Sequence, residues 1–384
     1  MVNDAVLRVP GMPLLLTMTV LGFSGYAALL AVAPLWAVHG GADTVGAGLV
    51  NGVLMAFTVL TQLFVPRALR RFGWAPVLVT GMLLLGLPAL AHGLSDALGP
   101  TLVLSAVRGL GFGVLTVTGS ALVAELVEPE RRGRAIGAYG LAIAGPQVVF
   151  LPAGPWLADR LGFWVVFAVA ALPAVAVVPA IGLARMLDHA PEEDEQERAP
   201  YSSLFPPMAL LIAVTLAGGA LITFMAQMSS STVLTALALL LMSVVAALTR
   251  WRIGSLSDRH GPRRFLAPLV LLTTAGMIVI AWAVRDPQAT QAPALLAGAA
   301  MVGASYGGLQ NLTLVVTFQA VSRQHYGPAS AVWNIGFDAG TGIGAVVVGM
   351  VAAGTSFSTA LLVAGAISLL TLPLALRRHI PAHG

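Results

Sequence analysis

Twelve apolar stretches follow one another between Met12 and Leu376, with only short polar connections between them. A helix needs about 20 apolar residues to cross the hydrocarbon core of a bilayer. Inside that core every backbone N–H and C=O must find its partner within the protein, which leaves helices and closed barrels. Stretches of this length exclude barrel strands, so the chain is confined to an all-α membrane fold with tight connections and no sizeable soluble domain. Composition agrees: of 384 residues 58% are hydrophobic and only 9% are charged, against about a quarter charged in a soluble domain.

The spans are expected near 12–36, 45–65, 74–94, 101–127, 135–157 and 163–183, then 208–228, 232–251, 265–284, 293–320, 328–353 and 358–376. The first imitates a signal peptide, with Arg8 ahead of it and Ala31-Val32-Ala33 as a cleavage site. Pro34 directly after that site, and the length of the apolar run, predict an uncleaved first helix instead. Between the sixth and seventh spans lies the acidic run Pro191-Glu192-Glu193-Asp194-Glu195-Gln196-Glu197-Arg198. It reads as a solvated tether over 188–203, dividing the chain into a half over 1–187 and a half over 204–384.

Arginine placement sets orientation, since all 20 basic residues are arginine. With the N-terminus inside, the inner face receives 17: Arg8, Arg67, Arg70, Arg71, Arg131, Arg132, Arg134, Arg185, Arg198, Arg250, Arg252, Arg259, Arg263, Arg264, Arg323, Arg377 and Arg378. Arg160 and Arg285 fall outside and Arg108 within a span. Such a bias predicts cytoplasmic termini. The net charge of +4 then belongs to loops that hold the protein in the membrane and implies no nucleic-acid partner. Zero cysteines exclude disulfides and thiol chemistry, and the seven histidines show no metal-ligand spacing.

The halves repeat. Shifted by 194 residues, the run from Arg134 to Pro146 lies over that from Pro328 to Gly340, Gly109 meets Gly303, and Phe112 meets Tyr306. Between spans 8 and 9 stands Gly254-Ser255-Leu256-Ser257-Asp258-Arg259-His260-Gly261-Pro262-Arg263-Arg264. This Gly-x-Leu-x-Asp-Arg-x-Gly-x-Arg-Arg pattern resembles the signature loop of the major facilitator superfamily of transporters. The resemblance implies two pseudo-symmetric six-helix halves, a cytoplasmic position for this loop, and a substrate site between the halves near the midplane. Gly254, Asp258, Arg259, Gly261 and Arg263 are then expected to gate the inner face, Asp258 meeting the start of helix 5 around Arg134. The first-half copy has decayed: aligning Gly73 with Gly261 puts Pro66 over Gly254 and Arg70 over Asp258. By the same resemblance Glu125, at the inner end of helix 4, holds Arg71.

Charges inside a membrane are rare and costly, so each one is a candidate for function. Arg108 is expected about 10–12 Å into helix 4. The string Leu104-x-x-x-Arg108-Gly-Leu-Gly111-Phe-Gly113 resembles a helix 4 arginine motif that this family's antiporters use in proton coupling, although glycine replaces the usual polar residue three positions on. Asp338 is expected about 15 Å into helix 11, near the bilayer centre. Its surroundings, Ser330 to Gly344, resemble helix 11 of bacterial exporters of this superfamily. Desolvation penalises the ionised form of a carboxylate, which suits a site that gains and loses a proton. Gly336, Gly340 and Gly344 form a separate face for a close neighbouring helix. In helix 5, Gly145-Pro146 resembles the signature of drug:proton antiporters, without its flanking glycines.

Family placement of the lining helices gives the substrate candidates Tyr26, Asn51, Tyr139, Gln227, Tyr306, Gln310, Asn311, Trp333 and Asn334. This aromatic and amide-rich set suits a neutral or weakly cationic amphipathic solute rather than a polyanion. Gly303-Ala304-Ser305-Tyr306-Gly307 fits a nucleophile-elbow string but lies within a span, without the strand and turn that chemistry needs. No nucleotide-binding loop is present, so the energy source is an ion or solute gradient. The sequence thus predicts no enzyme and no cofactor. It predicts a monomeric, multi-pass secondary transporter of the bacterial cytoplasmic membrane, exporting a small organic molecule against protons, with uptake as the alternative.

Overall fold

The computed structural model describes residues 9–127, 132–187, 201–286, 289–322 and 325–376. All twelve spans are helical and long enough to cross a bilayer: α1 Met12–His39, α2 Thr44–Phe72, α3 Trp74–Leu94, α4 Leu98–Val123, α5 Ala135–Leu161, α6 Phe163–Ala184, α7 Ser203–Met228, α8 Thr232–His260, α9 Arg263–Ala283, α10 Ala292–Gln319, α11 Pro328–Gly354 and α12 Phe357–Leu376. Among the described residues the protein is an all-α membrane fold. Its polar tether over 188–200, including the acidic run, lies outside the described residues.

Proline and glycine set where helices break. Pro34 has no N–H for the carbonyl of Leu30, and α1 is interrupted at Ala31. Pro173 and Pro179 interrupt α6 in the same way at Ala171 and Ala176. The turns after α2 and α8 hinge on Gly73 and Gly261, both at positive φ, 77° and 80°, a region only glycine enters without strain. Elsewhere helices outrun the apolar stretch. The helix containing α7 begins at Tyr201, inside the expected tether, and α8 continues to His260 rather than ending near 251. Ser231 caps α8, its Oγ accepting from the Leu234 N–H at 3.2 Å.

Two compact units form, one of residues 1–41 and 53–193, the other of 42–52 and 194–384. In the first, Gly109 and Gly113 of α4 lie so close to α2 that a Cβ would meet the carbonyls of Leu54 and Thr58. In the second, Gly303 and Gly307 of α10 lie in the same way on the carbonyls of Met242 and Ala246 of α8. Aligning Gly73 with Gly261 makes those carbonyl positions equivalent, so the repeat extends to individual backbone contacts. The string around Ser305 is accordingly a helix-packing seam. Gly336, Gly340 and Gly344 form the expected second seam, facing Met208, Ile212 and Leu216 of α7.

Candidate functional site

In the first unit the buried cation is Arg108, fully inaccessible to solvent. Its Nη2 donates to the Gly25 carbonyl of α1 at 2.9 Å and its Nε to the Leu85 carbonyl of α3 at 3.2 Å. Nη1 has no hydrogen-bond partner among the described residues. At Gly25 α1 also packs on α6 so closely that a Cβ would strike Pro173. Tyr26 lies within electrostatic reach of the guanidinium and stacks on Phe112 with ring centroids 3.8 Å apart. Among the described residues Arg108 is thus held by main-chain oxygens and not by a carboxylate.

Asp338 belongs to a different cluster, in the second unit. It is 3% exposed on α11. Its field and that of Arg250 both act on the Tyr306 hydroxyl of α10, and Gln310 Nε2, one turn further on, is buried without a hydrogen-bond partner among the described residues. Arg250 Nη1 donates to Gln310 Oε1 at 3.3 Å, and Asn311 Nδ2 donates to the Arg250 carbonyl at 3.2 Å. An aromatic row borders the group, Tyr306 to Phe337 at 6.2 Å between centroids and Phe337 to Trp333 at 5.8 Å. Helical spacing explains the assembly. Tyr306 and Gln310 are one turn apart on α10, as are Asn334 and Asp338 on α11.

Arg250 is the residue the sequence reading misplaced. It counts among the inner-face charges because it lies at the very end of the expected span, 232–251. Charged residues do not break a helix, however, and α8 continues to His260. Arg250 therefore stands about 15 Å inside the helix end and is half-buried. The signal was present in the repeat. The alignment that pairs Gly73 with Gly261 also pairs Gln62 with Arg250, and the 194-residue shift pairs Thr116 with Gln310. Gln62 Nε2 donates to Thr116 Oγ1 at 3.1 Å, the first-unit counterpart of the Arg250–Gln310 bond.

The other candidates separate. Asn51 is buried, and its Nδ2 donates to Thr223 Oγ1 at 2.9 Å, whose hydroxyl donates on to the Gly219 carbonyl. It holds residues 42–52 to the second unit. Tyr139 is buried with its hydroxyl against Gly119, a packing contact between α5 and α4. Trp333 Nε1 donates to Thr313 Oγ1 at 3.1 Å. Gln227 Nε2 is buried without a partner among the described residues, and Asn334 is half-buried. At the gate, Asp258, Arg259 and Arg263 are exposed at the α8–α9 turn, and Gly254 lies beside the Asn311 amide. The expected Glu125–Arg71 latch is not formed among the described residues. Glu125 is exposed, and Arg71 instead lies over the Phe72 ring at 5.4 Å. The Arg134 side chain lies outside the described residues.

Comparison with known proteins completes the picture. A sequence profile of the Major Facilitator Superfamily matches residues 14–237 and 208–383. Over 142 residues the chain is 31% identical to a probable 4-methylmuconolactone transporter of Cupriavidus pinatubonensis, covering 35% of this chain and 32% of that protein. Over another 142-residue alignment it is 28% identical to the uncharacterized MFS-type transporter Rv1250 of Mycobacterium tuberculosis, covering 37% and 24%. The match therefore spans a third or less of either relative's length. Among solved structures, a bacterial homolog of the human lysosomal transporter Spinster, inward-facing and occupied, superposes with a TM-score of 0.76 at 13% identity over 95% of each chain. An auto-inhibited POT family peptide transporter gives 0.76 at 11% identity over 97% of each. At such identities the likeness shows the fold.

Proposed function

Because the chain belongs to the major facilitator superfamily of transporters, we propose that it carries a small organic molecule across the bacterial cytoplasmic membrane by alternating access, with protons coupled at Asp338. The observation that carries this reading is one buried carboxylate on a membrane helix, with a tyrosine hydroxyl in its field and a cation acting on the same hydroxyl. Ionisable groups are costly inside a bilayer and are kept there for transport or proton relay. The arginine distribution supports cytoplasmic termini, and the protein acts as a monomer without a cofactor. That one relative is named as a probable 4-methylmuconolactone transporter supports a small organic solute.

The resemblances in helices 4, 5 and 11 favour export, with solute and proton competing for one site. Arg250 favours a second reading, uptake by co-transport. A cation beside the coupling carboxylate accommodates an acidic solute most readily once that carboxylate is protonated. Growth of knockout and overexpressing cells across a compound panel separates the two. Resistance on overexpression is the result expected of export, and lost growth on one nutrient after knockout is that expected of uptake. Unaltered growth in both arms would count against transport of any compound in the panel.

Asp258 acts in this reading at the inner gate, where Asp258→Asn weakens the outward-facing state. The chain contains no cysteine, so a single Gln227→Cys variant reports outer accessibility on a clean background. Labelling from outside is expected to fall when Asp258→Asn is added, and unchanged labelling would remove Asp258 from the gate.

A further inference from the structure

Arg250 is more than the fold requires. In the first unit the equivalent position holds Gln62, whose Nε2 donates to Thr116 Oγ1, and the same α2–α4 and α8–α10 seams close around both. An amide is therefore enough to join those helices, and packing does not explain a cation in the second unit. Nor does an ion pair, since no carboxylate lies within salt-bridge distance of Arg250 among the described residues. Its side chain donates to Gln310 Oε1 at 3.3 Å. A guanidinium has five N–H donors in a planar fork that matches a carboxylate. The Tyr306 hydroxyl lies within electrostatic reach of Arg250, and the Tyr306 ring begins the aromatic row that continues through Phe337 and Trp333. One end of the cluster offers donors and positive charge, and the other offers rings.

We propose that Arg250, with Gln310 and Tyr306, binds the carboxylate of a small organic acid whose apolar body rests against the Phe337 and Trp333 rings. This rests on the transport reading above and names its substrate class, replacing the neutral or weakly cationic solute that the aromatic and amide residues alone suggest. It also fixes the sign of coupling. An ionised Asp338 repels an anion at Arg250 and a protonated one does not, so by reciprocity the anion draws a proton onto Asp338. Solute and proton then bind together, and transport follows their combined gradient.

The test uses the purified full-length protein in detergent, with benzoate, phenylacetate and cinnamate as probes, each against its primary amide and against sodium chloride at equal ionic strength. At least one carboxylate is expected to raise the thermal midpoint while its amide and chloride do not. Arg250→Gln should abolish that shift and leave the unliganded midpoint unchanged, because glutamine already serves at the repeat position. If Arg250→Gln is not recovered folded, Arg250→Lys is read instead, and its single ammonium should weaken the shift. Equal stabilisation by an amide, no carboxylate-specific shift from any probe, or an undiminished shift in either variant would overturn the proposal. A pH dye in weakly buffered solution separates it from the coupling reading. Wild type should take up protons on binding, and Asp338→Asn should bind the carboxylate without uptake. Arg250-dependent binding with no uptake in wild type leaves the anion site standing and removes Asp338 as the coupling group. Proton exchange that persists without any dependence on Arg250 overturns the anion site alone.

Discussion

Asp338→Asn is expected to abolish pH-driven transport in proteoliposomes, to the level of empty vesicles, while exchange of solute down its own gradient survives. Asparagine matches the carboxyl group in size and mimics its protonated form, but cannot release a proton. Asp338 is buried on α11, with Tyr306 in its field, so the substitution perturbs no exposed surface and adds no bulk. A variant locked in the protonated form can still bind solute and interconvert between states when loaded. What it loses is the link to the proton gradient. The two modes therefore separate in one variant, and that separation distinguishes a coupling carboxylate from one that only packs. Full pH-driven transport by Asp338→Asn would place the proton elsewhere, with Glu125 next to be substituted. Loss of both modes would instead make Asp338 part of solute binding or of the fold.

The membrane fold was legible because it depends on long-range regularities. Twelve apolar stretches, the arginine bias and the glycine seams each involve many residues, and α7 does meet Gly336, Gly340 and Gly344 as their spacing requires. Helix ends were less legible. Hydropathy records where a span leaves the apolar layer, whereas a helix ends where the backbone can no longer continue. For α8 that difference moved Arg250 from the end of a span to a position well inside the helix. Residue type also failed to separate lining from packing. Tyr139 and Tyr306 are both tyrosines on inner helices. The first has its hydroxyl against Gly119, while the second lies between the fields of Asp338 and Arg250. Nothing local in the sequence distinguishes them: the Tyr306 ring also packs on a glycine, Gly218, and the difference lies in what the neighbouring helices present to each hydroxyl. Arg108 was found as a membrane cation, but its partners are the backbone carbonyls of Gly25 and Leu85, which no side-chain pattern reveals.

Those partners make Arg108 the second substitution with a large expected effect. A structural arginine and a functional one predict opposite outcomes for Arg108→Met, which keeps the length and removes the charge. Both carbonyls lie inside helices, where one lone pair of each already accepts a helical N–H, so losing the guanidinium leaves neither unpaired. The guanidinium itself is fully buried, with Nη1 unpartnered among the described residues. A buried charge without a counter-ion carries a desolvation penalty of several kcal/mol. On that balance Arg108→Met is expected to hold or raise the thermal midpoint while both pH-driven transport and solute exchange are lost. Exchange is lost here, unlike in Asp338→Asn, because Arg108 joins α1 and α3 from α4 beside the Tyr26–Phe112 stack, and its removal alters how those helices are held rather than one proton. Thermal unfolding of the detergent-purified variant, measured alongside both transport modes, decides the matter. A fall in the midpoint large enough to account for the lost transport would make Arg108 a structural tie, and a stable variant that still exchanges solute would show that the buried charge serves neither role.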